Sequence, residues 1–392
     1  MTNKIKQSTL LILLVSFSLG FVRCKKDSSA VPAGVDSTSL AAHHSGAVNL
    51  ATTTTTTTTT TAYDVTKSLP AGYVTNGTVD YTAYLQKAIN TYSNIVFPGF
   101  PIMVSDVGLV IGSNKTITFS TGSKLVLKPS SNANYNIIKV LLANNVTLNN
   151  PVIVGDRYNH IGTTGEWGQG LAINGSTNVT INNPNVINCW GDGIFMGPKS
   201  GITCQNIKIV NAYSAHNRRN GITITGGINV DLEGGYAGYS DGAAPYSGID
   251  IEPNASTDEL QNIVLNNFKT EYNVGPGISA GFNNLFGGAN KNISINLTNH
   301  SDKGSAVAFH CTAPSPFGTG VLSGTVNVVN PFWRKNTNTP ITTNLMVNTV
   351  KLNISKPAVQ DINAVSLTQA QIISLFTYKT HINREANYSL TF

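Results

Sequence analysis

Six times between residues 170 and 309 the chain writes a glycine followed by alternating apolar residues. The copies are Gly170-Leu-Ala-Ile, Gly193-Ile-Phe-Met, Gly221-Ile-Thr-Ile, Gly248-Ile-Asp-Ile, Gly277-Ile-Ser-Ala and a degenerate Gly304-Ser-Ala-Val, with glycines 23, 28, 27, 29 and 27 residues apart. A second phrase recurs between them: Asn178-Val-Thr-Ile, Asn206-Ile-Lys-Ile, Asn229-Val-Asp-Leu, Asn262-Ile-Val-Leu and Asn292-Ile-Ser-Ile. A near-fixed period filled with short strands is the mark of a solenoid. A strand unit this short buries its apolar face only by stacking on its neighbours, so the expected fold is all-β, a parallel β-helix.

Composition fits. Only 11% of the 392 residues are charged while 36 are glycine, which suits a turn-dense β protein rather than a helical one. The net charge of +6 is spread without a Lys/Arg run in the repeats, so nucleic acid is not an expected partner. A mildly basic surface leaves room for an acidic partner. The four cysteines include no Cys-x-x-Cys and no metal-ligand spacing with histidine. Cys189, Cys204 and Cys311 are expected as buried thiols, with a Cys189–Cys204 bridge as the alternative in an oxidising compartment.

Three segments precede or make up the fold. Residues 1–24 read as an export signal, with Lys4 and Lys6 before an apolar run from Leu10 to Phe21 that is short for a membrane span. Its end, Phe21-Val-Arg-Cys24, resembles a bacterial lipoprotein signal. That resemblance implies acylation of Cys24 and an envelope-anchored protein, although Arg23 stands where a small residue is usual; plain secretion is the alternative. Residues 25–62, with ten consecutive threonines at Thr52–Thr61, are too polar and simple to build a core and are expected to act as a tether. Residues 63–392 form the β-helix domain, with regular coils to about 330 and a C-terminal cap over 331–392. At its start Tyr84, Leu85, Ala88 and Ile89 recur at helical spacing, predicting a helix that covers the open end. Leu367–Thr377 is expected as a closing helix with Ser366 as its N-cap.

Alternation fixes which side chains point away from the core. The residues two and four after each glycine face out: Ala172/Asn174, Phe195/Gly197, Thr223/Thr225, Asp250/Glu252 and Ser279/Gly281. Coils stack about 4.8 Å apart, so these pairs form one ladder facing solvent. Asp250 and Glu252 are the acidic rung, their Cα atoms about 6.6–7 Å apart, a spacing compatible with the acid and base carboxylates that cleave glycosidic bonds. Their repulsion is a physical means of keeping one protonated and one ionised. Solvated surface carboxylates or a calcium site are the competing readings, and no organic cofactor is expected.

The turn His216-Asn217-Arg218-Arg219-Asn220 enters the strand one coil earlier, and parity aims Arg219 at the groove. Arg219 and Asp192, in Trp190-Gly-Asp-Gly193, are expected to support the carboxylates. Arg218, His216, Asn220, Thr223, Tyr246, Trp190 and Phe195 are expected to contact substrate; Trp167 and Tyr239 are further aromatic candidates, and His310 is expected to be structural. Loops at Tyr236–Tyr246 and Tyr272–Pro276 are expected to wall the groove.

The stretch Asp80-Tyr-Thr82 through Ile89, with Ile95-Val-Phe-Pro98-Gly99, is similar to the N-terminal cap of the pectate lyase superfamily. From about 63 to 330 the chain resembles right-handed parallel β-helix proteins of the pectate lyase and glycoside hydrolase family 28-related superfamily. That resemblance implies action on an extracellular polysaccharide, neutral or acidic, and by itself leaves the activity open. With the acidic rung, the expected function is a glycoside hydrolase using Asp250 and Glu252; the alternatives are a polysaccharide lyase or uronate epimerase on acidic glycans, and a non-catalytic glycan-binding adhesin. The protein is expected to be a monomer that touches the membrane only through an N-terminal lipid. In a lyase or epimerase Arg219 or His216 would be the base. The polygalacturonase set of Asn-Thr-Asp, Asp-Asp, Gly-His-Gly and Arg-Ile-Lys is not present.

Overall fold

The computed structural model describes residues 61–313, 320–345, 349–379 and 387–392. The leader, Cys24 and nearly all of the threonine-rich segment lie outside the described residues. Two parallel sheets make up the domain. One has nine strands, one per coil: β1 (Leu109–Ile111), β2 (Asn134–Leu141), β3 (Trp167–Asn174), β4 (Ile194–Gly197), β5 (Ile222–Ile224), β6 (Ile249–Ile251), β7 (Pro276–Gly281), β8 (Val307–Ala313) and β9 (Thr339–Leu345). The other sheet, of 19 strands, forms the remaining faces. In three coils its two faces merge into one long bent strand: Gln205–Ala215, for example, pairs with both Thr177–Asn182 and Asn185–Ile187. Each coil thus repeats the same side chains at the same height. Ile173, Met196, Ile224, Ile251 and Ala280 stack through the core at or near zero exposure.

Both repeated phrases have a steric cause. The phrase glycines sit where coils crowd at the corner: a Cβ on Gly221 would lie 2.5 Å from the Gly248 carbonyl oxygen, and one on Gly193 would lie 2.1 Å from Ser214 Oγ. The phrase asparagines enter the next face in the left-handed region, with φ of 54° at Asn178, 53° at Asn206, 56° at Asn229 and 53° at Asn262. Asparagine tolerates that conformation better than other side chains carrying a Cβ. Its amide is then free to bond along the solenoid: Asn206 donates to Asn178 (2.9 Å), Asn229 to Asn206 (3.0 Å) and Asn262 to Asn229 (3.0 Å). Replacing Asn229 by alanine removes two ladder bonds and strains φ, and is expected to cost about 1–3 kcal/mol. Asn229→Gly relieves the strain alone, so urea unfolding midpoints of the two variants separate the ladder from the backbone.

Helix α1 (Thr82–Thr91) buries Thr82, Leu85, Ala88 and Ile89, while Tyr84 faces out. Gln86 reaches the unpaired edge of β1, accepting from Val110 N (2.7 Å) and donating to Val110 O (2.9 Å), so one side chain does there what a neighbouring strand would do. At the other end strands continue past residue 330, through Phe332–Arg334, β9, Val350–Ser355 and Ala358–Gln360. Helix α2 (Gln369–Lys379) follows. Its cap is Thr368 rather than Ser366: Thr368 Oγ1 accepts from Gln371 N (3.3 Å) and the Gln371 side chain accepts from Thr368 N (2.9 Å), a reciprocal capping box. Ser366 instead bridges to Gln360.

Cys189, Cys204 and Cys311 are buried free thiols. Among the described residues no helix is long and apolar enough to cross a membrane.

Candidate functional site

Register fixes the outward ladder of the nine-stranded sheet. Lys139, Ala172, Phe195, Thr223, Asp250, Ser279, His310 and Thr342 are successive paired rungs. Alternation assigns their direction correctly but not their exposure. Ala172 (0%), Thr223 (1%) and Asp250 (2%) are buried, not solvated, because loop and turn side chains lie over them.

Arg219 is the hub of that cover. Its Nη1 donates to both carboxylate oxygens of Asp192, at 3.1 and 3.3 Å, and its Nη2 to Glu252 Oε2 at 3.4 Å. Its Nε lies 3.9 Å from Glu166 Oε2. One guanidinium therefore holds carboxylates from three coils. Burial works against its charge, and Asp192, Asp250, Glu252 and Glu166 more than offset this, so its pKa is raised further.

Asn220, fully buried, is a second connector. Its Nδ2 donates to Asp250 Oδ2 (3.2 Å) and Thr223 Oγ1 (3.1 Å), its Oδ1 accepts from Ser247 N (2.9 Å), and its own N–H donates to Asp192 Oδ1 (3.2 Å). The residue read as a substrate contact is instead spent holding the two buried aspartates. Thr223 is also spent inside the cluster, its Oγ1 accepting from Asn220.

The cluster separates its acids. Burial pushes Asp250 up to about 8; repulsion from Glu252 and Asp192 and a hydrogen bond with Glu252 act the same way, and Arg219 opposes them. Asp250 is thus a protonated carboxylic acid at neutral pH. Burial also raises Asp192, while Arg219, Thr223 and the Asn220 N–H pull it back. Glu252 keeps its side chain 46% exposed. The result is a buried carboxyl with a raised pKa beside a half-exposed carboxylate that bonds a guanidinium.

Other predicted residues go elsewhere. Arg218 lies over the Trp190 ring at 4.0 Å and donates to Gly165 O (2.6 Å). Trp190 is largely buried, stacked on His160 with centroids 4.0 Å apart. His216 stacks on Tyr239 (4.6 Å), which stacks on Tyr272 (5.4 Å); all three take left-handed φ at successive coil corners. Tyr246 is half-buried in the loop before β6. That loop begins later than expected, since strand Gly227–Gly238 includes Tyr236. Arg157 anchors it, pairing with Asp241 and donating to His216 O (2.9 Å) and Asn217 O (3.1 Å). His310 bonds Thr342 (2.7 Å). Of the aromatic candidates, Phe195 and the exposed Trp167 line a cleft of about 560 Å³. Among the described residues no set of three or more acidic, histidine or cysteine side chains is arranged to hold a metal.

Glu166 has no sequence signal. It lies in an irregular segment before β3, where there is no alternation to orient it.

No family model matches the chain. YclG, an uncharacterized protein of Bacillus subtilis, is 26% identical over 213 residues, which cover 46% of this chain and 36% of YclG. YorA, an uncharacterized prophage-derived protein of the same bacterium, is 34% identical over 89 residues, 21% of this chain and 15% of YorA. The chain therefore spans well under half the length of these curated relatives. Among solved structures, the A-module of mannuronan C-5 epimerase AlgE4 from Azotobacter vinelandii aligns with a TM-score of 0.54 at 14% identity, over 77% of this chain and 89% of the module. The fold is the right-handed parallel β-helix. PfbA, a surface adhesin of Streptococcus pneumoniae, gives 0.52 at 11% identity over 77% and 88% of the two chains. The Dettilon tailspike protein gives 0.56 at 14% over 76% and 62%. An epimerase, an adhesin and a tailspike on one fold leave function to be argued from the site.

Proposed function

We propose that this protein hydrolyses a polysaccharide laid along the outward face of the nine-stranded sheet. The observation that carries this reading is the split pair: Asp250 held protonated by burial, and Glu252 beside it, exposed and bonded to Arg219. Asp250 gives its proton to the leaving glycosidic oxygen as the C–O bond breaks. Glu252 takes a proton from the water that adds to the anomeric carbon. Arg219 bonds Glu252 and Asp192, and Asn220 bonds Asp192 and Asp250, so the two turn residues fix the three carboxyl groups relative to one another.

Elimination or epimerisation of a uronate needs a free base at the reacting carbon. Arg219 is engaged by carboxylates and His216 by a ring stack, which weighs against either one as that base. A mannuronan epimerase among the structural neighbours is consistent with an enzyme directed at a glycan on this fold. The leader and threonine-rich segment support export, a tether and display outside the cell.

A glycan panel read for reducing ends and ultraviolet absorbance together tests the reading. Reducing ends without absorbance, lost in Asp250→Asn/Glu252→Gln, are expected. Absorbance would make it a lyase, altered stereochemistry at constant length an epimerase, and retention without change a binder; cleavage surviving in the double variant removes the chemistry from this pair.

A further inference from the structure

We propose that the cleft on the N-terminal side of the carboxylate cluster is a subsite for an anionic sugar unit, a uronate or a sulfated residue, so that the glycan bound here is acidic and lies in one direction. The inference rests on reading the sheet as a glycan groove. Lys139 and Lys199 line the cleft of about 560 Å³ together with Trp167, Phe195, Gln169 and Asn174. Among the described residues neither ammonium has a carboxylate at ion-pair distance. That contrasts with Arg219, whose charge the cluster already uses.

The layout suits a sugar ring. Trp167 is 53% exposed and Phe195 stands two rungs from Asp250, about 10 Å away along the ladder. A ring resting on aromatic carbon with amides and ammonium groups around it is the usual pattern of a polar ligand site. On the other side of Asp250 the described rungs are Ser279, His310 and Thr342, and burial lowers the His310 pKa, so none of these three rungs offers a lysine or arginine charge. The cluster itself holds three further acids, Asp192, Glu252 and Glu166, against one guanidinium, and repels an anion at the centre. Among the described rungs, a negative unit is therefore favoured toward β2 and β3.

The test is binding of an array of polyuronates and sulfated glycans, each beside its esterified or desulfated counterpart, to the full chain at low and moderate salt. At least one acidic glycan is expected to bind about tenfold tighter than its neutral form, with a preference that shrinks as salt rises. Lys139→Gln/Lys199→Gln should erase that preference, and Trp167→Ala should weaken both forms alike. No preference in the natural chain, or one that survives the double lysine variant, overturns the proposal. Cleavage lost in Asp250→Asn with charge preference absent would leave the hydrolase reading and remove this one. A lysine-dependent preference in a protein that cleaves nothing would do the reverse.

Discussion

Asp250→Asn is expected to cut turnover by about 10²–10⁴-fold while leaving glycan affinity nearly unchanged, since an amide keeps the shape and loses the transferable proton. The same change is expected to stabilise the fold. Asp250 titrates at about 8 in the native state and at about 3.9 in an unfolded chain. The folded form therefore binds this proton more tightly, so stability is full below about pH 4, falls as pH rises, and the loss is complete above about pH 8. Asparagine carries no such penalty, and the variant should gain about 1–3 kcal/mol on the natural protein near pH 8 and little near pH 4. Activity has the matching basic limb, falling as the acid deprotonates above about pH 8. Denaturant midpoints at the two pH values and a pH–rate profile check the three statements. A destabilised Asp250→Asn at pH 8 would mean that the carboxylate is ionised and structural.

The placement of these residues on one face is legible in the sequence. The glycine phrase set the register, and register placed Asp250 and Glu252 on one outward rung with Arg219 aimed at them from the preceding turn. Parity gives direction, though, and says nothing about cover. Asn220 and Thr223 looked like substrate contacts because nothing in a one-dimensional pattern reports that Arg219 and a turn lie over them. Arg218 and His216 looked free because a turn has no alternation; one spends its charge on the Trp190 ring and the other stacks on Tyr239. Lys139 occupies the same outward column as Phe195 and Asp250, but its coil lacks the phrase glycine, so it had no register to be aligned by. The coils beyond 330 escaped notice for a similar reason: shape survives there without the repeated words.

Arg219→Ala is expected to cost about 3–5 kcal/mol at pH 8, among the largest effects of any single change in this domain, because it leaves Asp192 buried without its partner. The loss should shrink toward pH 5. Without the guanidinium both Asp192 and Asp250 have higher pKa values and hold their protons over more of the range, and a neutral carboxyl is far cheaper to bury than an anion. Arg219→Lys should recover only part of the stability, since a single ammonium cannot span Asp192 and Glu252 as the planar fork does. The decisive variant is Arg219→Met/Asp192→Asn. Removing both charges removes the uncompensated anion, so the pair should be much more stable than Arg219→Ala and yet inactive. Urea unfolding at pH 5 and 8, beside turnover on whichever glycan the panel identifies, reads all four predictions. If the double variant stays as unstable as Arg219→Ala, the guanidinium supports the coil corner by packing rather than by charge, and the electrostatic account of the cluster fails with it.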